Sequence, residues 1–362
     1  MINEAKLSQE YAPDTEPPSD ERQSEIQQSI QANQDRGRPP CAGITIKTLG
    51  ELSWIIDQQN WTCGIDPGSK SRPDLRAADF TGTLLGGVNL SGSDLRDARL
   101  TGADLSGATL FGVKLSQADL RRARLIEAFL PDVDLTDADC ERTNFHNASL
   151  VGARLSGAYL EQADLTGADV WSAQCSATTV LRGVGLDTRT RLGDILWNGA
   201  PLTQINWHQV KTLGDEDEVS ARVTQIRQDK SLSRKERRQR VAATNRDVAR
   251  AYRALSIALR QQGMTDVASD YRLREQQYER AALKAEHRPL ALLWSRLLYF
   301  VAGYGERPLN ALLLYAATVI SFMGVYLLIT HHLDTHLSQL SWDEALVLSI
   351  TSFHGRGFFP GT

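Results

Sequence analysis

Few residues of this chain are spaced so that they could do chemistry together. The motif His331-His332-x-Asp334-x-His336 offers imidazole and carboxylate ligands that suit a transition metal, and it also fits an ordinary polar loop after an apolar segment. The remaining histidines are scattered, and the many Asp residues of the central third have a spacing that turn formation explains. We therefore predict no enzymatic activity, no catalytic residues, no bound metal and no cofactor.

Cysteine usage and charge narrow the possibilities further. Cys41 and Cys63 lie 22 positions apart without paired ligands beside them, which argues against a zinc site. The first thirty residues are polar and acidic, so we predict no signal peptide, and free thiols suit a reducing cytoplasm. Because 40 basic residues face 44 acidic ones, the net charge is only −4, and we expect no nucleic-acid partner.

The central third of the chain has a strict period of five. From Leu75 to Val180 every fifth residue is Leu, Phe, Val or Cys, which makes 22 consecutive positions, and a small residue, mostly Ala, precedes each by two. Helices repeat near 3.6 residues and strands near 2, so neither explains this pattern. It indicates a solenoid whose coil closes after a few pentapeptides, with the large residue inside and Ala where a bigger side chain would collide.

The repeat reads Ala-Asp-Leu-x-x, as at residues 103–105 and 163–165, and resembles the pentapeptide repeat family. The resemblance implies a right-handed, four-sided β-helix with four pentapeptides per coil. Leu120 and Leu160 should then lie above and below Cys140. For the whole chain we expect a mainly β fold, in which this quadrilateral β-helix is followed by an α-helical hairpin and a single transmembrane helix with a pore-helix-like tail.

The segments around the repeats have different compositions. Apolar residues at helical spacing, among them Val248, Tyr252 and Leu255, indicate a helical hairpin after the repeats. The predicted organisation is a disordered segment at 1–42, a cap helix at 43–72, the repeats at 73–182, an irregular cap at 183–213, an acidic linker and hairpin at 214–288, an interfacial amphipathic helix at 289–307, a transmembrane helix at 308–330 and a pore-loop-like tail at 331–362.

The stretch from Leu309 to Ile329 contains no charged residue. Its length suits a bilayer core of about 30 Å, and a buried core helix is the alternative. Arg288, Arg296 and Arg307 flank its N-terminal side, so positive charge favours a cytoplasmic repeat block. We therefore predict a single-pass protein of the bacterial inner (plasma) membrane, with membrane lipid as one partner.

The tail after this stretch resembles the pore helix and filter loop of potassium-channel-like two-helix modules. Bacterial proteins that join pentapeptide repeats to such a module are a recognisable architecture. Arg356 stands where the filter would have an aromatic residue, and the sequence stops at Thr362, before the second spanning helix that the resemblance implies. We therefore expect either a truncated product or a member that kept only the anchor. The residues at the matching places are Thr351, Ser352, Phe353, His354, Gly355, Arg356 and Gly357.

One side of the predicted prism has an apolar outer surface. The residue after each central position points outward, and on the side centred on Leu90 and its successors these residues are mostly apolar. We name this set the apolar ladder, and its members are Phe111, Pro131, Val151 and Trp171, with Phe129 beside them. A contiguous apolar strip indicates a docking surface, covered either by the chain's own hairpin or by a protein partner or second copy.

These patterns predict a non-enzymatic, membrane-anchored scaffold that uses its repeats for protein–protein interaction. Two alternatives stay open at this point. One is a subunit of an ion-channel-like assembly with a truncated pore module. The other is a DNA mimic that regulates a topoisomerase, although the repeats between Pro73 and Arg182 carry only a small acidic excess mixed with arginines.

Overall fold

The computed structural model of the protein describes residues 15–61, 72–210, 212–302, 308–332 and 341–353. The chain divides into two compact units, Met1–Ala282 and Leu283–Thr362. Single-turn 3-10 helices cover Leu202–Gln204 and Trp207–Gln209. The α-helices of the described residues, in chain order, are α1 (Asp20–Asp35), α2 (Leu49–Gln58), α3 (Asp215–Gln228), α4 (Arg234–Gln261), α5 (Thr265–Ala285), α6 (Pro289–Ala302), α7 (Pro308–His332) and α8 (Trp342–Phe353).

The repeats from Leu75 to Cys175 form stacked coils of four pentapeptides. The residue before each central position makes a parallel bridge to the residue 20 positions further on, as Asp119 does with Asp139. Backbone hydrogen bonds follow the same offset, and the Leu120 N–H donates to the Asp139 carbonyl at 2.7 Å. Twenty residues therefore return the chain to the same side, where Leu120, Cys140 and Leu160 follow one another in the buried interior.

Each side of a coil ends in a tight turn. The Leu100 carbonyl accepts a hydrogen bond from the Ala103 N–H at 3.0 Å, and Gly102 between them has a φ of +65°, as the third residue of a type II turn requires. Asp104 then supports the next turn, because its Oδ1 accepts the Ser106 N–H at 3.0 Å. Turn formation therefore accounts for the repeated Asp residues.

The prediction of a mainly β fold is wrong for the described residues. Between Leu75 and Cys175 each pentapeptide contributes a single bridge residue before the chain turns, and no strand forms there. In the described part of the chain, every element longer than one bridge residue is a helix. A strand usually needs several consecutive extended residues, and a turn in every pentapeptide leaves no room for them.

The register of the repeats changes after Cys175. Tyr159 pairs with Val180 across an offset of 21 residues instead of 20. Leu181 therefore takes the buried central position that the period of five assigned to Val180. The extra residue lies in the turn before Val180, where the Ser176 N–H donates to the Thr179 hydroxyl at 3.0 Å.

The segment between α1 and α2 pairs with the first coil. Thr45, just before α2, makes a parallel bridge to Asp79 of the first coil. Helix α1 lies within the segment that we predicted to be disordered, and its Ile26 and Ile30 are buried. These two residues lie one helical turn apart, so α1 buries a narrow apolar stripe although most of its residues are polar.

Helices α4 and α5 close the other end of the repeat block. Gln262, which follows α4, accepts the Leu202 N–H at 2.8 Å and donates to the Ala200 carbonyl at 2.6 Å. The Tyr271 hydroxyl of α5 donates to the Val210 carbonyl at 2.6 Å. The helical hairpin thus satisfies backbone groups of the segment that follows the last coil, which water would otherwise have to satisfy.

In the second unit, α7 packs against α8. The Ser349 hydroxyl of α8 donates to the Val319 carbonyl of α7 at 2.8 Å, and Val319 and Ala345 are buried. A bilayer core requires roughly 20 consecutive apolar residues, and among the described residues no helix is long and apolar enough to cross a membrane. This finding overturns the predicted transmembrane helix at 308–330 and the single-pass inner-membrane location.

The channel-like tail is not supported either. The backbone of Thr351, Ser352 and Phe353 is helical, because these residues end α8, whereas a filter would need extended chain there. The other four residues of the predicted filter-like loop lie outside the described residues; they are His354, Gly355, Arg356 and Gly357.

Candidate functional site

The apolar ladder is aligned along one side of the repeat block. The Gly112 N–H donates to the Pro131 carbonyl at 2.9 Å, and the Gly152 N–H donates to the Trp171 carbonyl at 2.9 Å. Phe111, Pro131, Val151 and Trp171 therefore occupy equivalent turn positions in successive coils. With coils about 4.8 Å apart, the ladder is roughly 14 Å long.

The ladder is partly open to solvent. Phe129 is 46% exposed and Trp171 is 40% exposed, whereas the central residues behind them, such as Leu130, are buried. Phe111, Pro131 and Val151 are half-buried. We predicted that another element covers the ladder, with the hairpin as one candidate. The hairpin binds the segment after the last coil, and its helix α4 comes near the ladder at Trp171.

Other sides of the block carry charges that pair with one another. Arg121 holds Asp119 at 2.6 Å and lies 3.6 Å from Asp139, and Arg96 holds Asp94 at 2.6 Å. The hydrogen bonds from Arg121 lower the pKa of Asp119 to about 2, so this carboxylate stays ionised. The ladder side therefore differs from these charged sides in its chemistry.

Within the described residues, the groups considered for metal or thiol chemistry do not assemble into a site. Burial raises the pKa of the Cys41, Cys140 and Cys175 thiols, so these cysteines are neutral, inert members of the interior. His331 and His332 end α7, while Asp334, His336 and Cys63 lie outside the described residues. The described residues contain no group of His, Cys, Asp or Glu that could hold a metal ion.

The lower end of the ladder reaches a junction that the sequence did not reveal. The Ser172 N–H donates to the Gly193 carbonyl at 2.8 Å, so Gly193 follows Trp171 in the same column. Asp215, the first residue of α3, lies beside both of them and is buried. Sequence reasoning placed Asp215 in an acidic linker, and only its position directly after Gly214 hinted at a helix start.

Comparison with known families matches the repeat block. Eight copies of the family model described as pentapeptide repeats match the chain, within residues 74–112, 103–139, 114–150 and 143–174. Comparison with the curated proteins finds no match. The predicted partners, membrane lipid and a protein or second copy, are not addressed by these matches and stay predictions.

Several solved structures are similar in part. Rfr23, a pentapeptide repeat protein from the cyanobacterium Cyanothece 51142, is 29% identical with a TM-score of 0.30, and the match covers 33% of this chain and 91% of that one. HetL from Nostoc sp. strain PCC 7120, described as involved in heterocyst differentiation regulation, is 30% identical with a TM-score of 0.20, and covers 35% and 61%. Full-length QnrB1, a plasmid-mediated fluoroquinolone resistance protein, is 17% identical with a TM-score of 0.21, and covers 43% and 84%.

The structural similarities have TM-scores too low to support any conclusion about this chain. The family assignment depends instead on the repeated sequence matches and on the coils that the structure forms at the same residues. Residues 74–174 of this chain are therefore pentapeptide repeats.

Proposed function

We propose that the chain is a non-enzymatic scaffold that docks another protein on its apolar ladder. The observation that carries this proposal is the column formed by Phe111, Pro131, Val151 and Trp171, in which Trp171 and the adjoining Phe129 keep large exposed surfaces. A contiguous exposed apolar strip that is bordered by polar residues is typical of interaction sites.

The architecture of the first unit favours docking from the side. The segment between α1 and α2 pairs with one end of the repeat block, and α4 and α5 bind the segment at the other end. A partner therefore meets the sides of the block, where charged pairs such as Arg96–Asp94 alternate with the ladder. Desolvating such pairs on binding is costly, whereas covering apolar side chains is favourable.

The size of the ladder favours a narrow partner segment over a second copy of the chain. A fully covered aromatic side chain buries about 150–250 Å², so the half-exposed Trp171 and Phe129 each have on the order of 100 Å² left to cover. A stable interface between two folded proteins needs about 800 Å² on each partner. We therefore propose that the occupant is an apolar segment of another protein that lies along the column.

Site-specific photocrosslinking tests this proposal. A photoreactive phenylalanine at position 129 should capture a discrete partner segment, whereas the same residue at Tyr159 should not, because Tyr159 is an exposed aromatic residue outside the ladder. A synthetic peptide of the captured segment should then bind the purified full chain, and Phe111→Ser should weaken its affinity at least tenfold. Equal capture at both positions, or a peptide that is indifferent to Phe111→Ser, would contradict the proposal.

The two alternatives have no specific observation in their favour. The ion-channel alternative depended on a membrane span, which no described helix provides. The DNA-mimic alternative needs an unbroken acidic surface, and the carboxylates of Asp94 and Asp119 are each held by an arginine of the same turn.

A further inference from the structure

A cavity of about 360 Å³ lies where the end of the repeat block meets helices α3 and α4. Its walls include Trp171, Gly193 and Asp194 from the repeat side, and Asp215, Arg222 and Val248 from the helices. The ladder leads directly into it, because Gly193 follows Trp171 in the same column. The cavity is thus continuous with the surface that we propose as the docking site.

The carboxylate of Asp215 is the most buried charged group of this cavity, with 7% of the residue exposed. Its Oδ2 accepts the Leu192 N–H at 3.1 Å. Its Oδ1 lies 4.0 Å from Arg191 Nε, which is beyond hydrogen-bond distance. A buried carboxylate is costly unless it is well paired, so Asp215 can accept a further cationic donor.

Gly193 brings the indole of Trp171 and the carboxylate of Asp215 into the same space. A Cβ atom at position 193 would lie 2.5 Å from Trp171 Cδ1 and 2.7 Å from Asp215 Oδ1. The Trp171 ring nevertheless keeps 40% of its surface exposed. An aromatic surface beside a carboxylate suits a cation, because the ring quadrupole and the negative charge both attract it.

The arginines of the wall leave this preference intact. Arg191 is held by Asp169 at 2.5 Å, and Arg250 is held by Asp247 at 2.5 Å. Arg191 also lies 4.0 Å from Asp215 Oδ1, so Asp169 and Asp215 share its charge. With Asp194 and Asp247, four carboxylates therefore face the three arginines of the wall. The balance of these groups is negative, which favours a positively charged ligand.

We propose that the cavity binds the guanidinium or ammonium group of an Arg or Lys side chain in the protein segment that docks on the ladder. This inference rests on the proposed function for its source of ligand, and the chemistry of the cavity is separate from the ladder. Trp171 covers the flat face of the cation, and Asp215 Oδ1 accepts a hydrogen bond from it. The docking surface thereby selects apolar segments that carry a basic residue at one end.

Fluorine NMR of the full chain, labelled with 5-fluorotryptophan, tests the cavity with a probe too small to reach Phe111. The Trp171 resonance is assigned by its loss in Trp171→Phe. N-acetylarginine amide should shift this resonance saturably, and the neutral isostere N-acetylcitrulline amide should bind at least tenfold more weakly. Both probes are compared on the wild-type chain, so the result stands whatever the crosslinking shows. Equal binding of the two probes overturns the proposal.

Two matched variants locate the cation. Asp215→Asn should weaken N-acetylarginine amide binding at least tenfold, because the carboxylate charge is lost while the shape is kept. Asp137→Asn removes an exposed carboxylate on another side of the block and should leave binding unchanged. The resonances of the other tryptophans serve as the check that each variant is folded. Unchanged binding by folded Asp215→Asn overturns the assignment.

Discussion

The carboxylate of Asp215 accepts a hydrogen bond from the Leu192 backbone N–H at 3.1 Å, which ties the first residue of α3 to the end of the repeat block. The adjacent Gly214 N–H donates to the Thr190 carbonyl at 2.9 Å. The N-terminus of helix α3 is therefore hydrogen-bonded to the end of the repeat block, and this attachment holds Asp215 in a buried position.

This position predicts a pH dependence of stability. Burial raises the pKa of Asp215 to about 6, against a usual value of about 3.9 in an unfolded chain. Between these values the folded state binds more protons, so the free energy of unfolding should fall as the pH rises from about 4 to about 6. Asp215→Asn cannot lose this proton, so at pH 7 it should be more stable than the wild type by up to about 2–3 kcal/mol. Urea unfolding at pH 4.5 and pH 7.5 measures the difference.

Asp119 provides the opposite control. Because Arg121 lowers the pKa of Asp119 to about 2, the ionised Asp119 stabilises the folded state above about pH 4. This stabilisation is lost as the pH falls towards 2. Asp119→Asn should therefore leave the slope between pH 4 and pH 6 intact. A wild-type slope that persists in Asp215→Asn would show that another group is responsible.

The second prediction concerns polar residues at the small position of the repeat. Thr143 is buried there and its hydroxyl donates to the Leu120 carbonyl at 2.7 Å. Ser93 occupies the same repeat position, and among the described residues its hydroxyl has no hydrogen-bond partner. Thr143→Val should cost about 1 kcal/mol of stability, while Ser93→Ala should be neutral or gain up to about 1 kcal/mol. Denaturant melts of the two variants that shift in the same direction would contradict this account of the interior.

Much of the repeat block could be predicted from the sequence, because a period of five specifies which residue of each turn is inside. The stacking of Leu120, Cys140 and Leu160 follows from that period alone. The absence of strands could not be predicted in the same way. The resemblance to a β-helix does not specify how many consecutive residues on each side form bridges to the next coil. The register change at Val180 results from one extra residue in the preceding turn, and the period of five does not predict that residue.

The parts outside the repeats depended on contacts distant in sequence. Ile26 and Ile30 are buried apolar residues of a helix whose composition otherwise suggests disorder. The hairpin was predicted from its periodicity, but its binding site was not, because Tyr271 and Gln262 make their hydrogen bonds about 60 residues away. The alignment of the ladder was predictable, whereas the cavity at its end requires Asp215 to be brought to Gly193 by folding.

The third prediction concerns the attachment of the hairpin. Tyr271 is buried, its hydroxyl donates to the Val210 carbonyl at 2.6 Å, and its ring stacks on Tyr252 with centroids 5.8 Å apart. Tyr271→Phe should cost about 1 kcal/mol, and Tyr271→Ala about 3–5 kcal/mol. Limited proteolysis should then cut α4 and α5 faster in Tyr271→Ala. Ile257→Ala, at an exposed position of α4, is the control and should digest like the wild type.

The last prediction concerns the close approach at Gly193. A Cβ atom there would lie 2.5 Å from Trp171 Cδ1 and 2.7 Å from Asp215 Oδ1, so Gly193→Ala must displace the indole, the carboxylate or both. We expect a loss of about 1–3 kcal/mol, typical of overpacking, and a shifted fluorine resonance for Trp171. Gly86→Ala is the matched control, because its Cβ would meet nothing closer than the Ser106 carbonyl oxygen at 3.7 Å. If both variants unfold at the same denaturant concentration and leave Trp171 unmoved, the indole and the carboxylate do not share the space that our cation site requires.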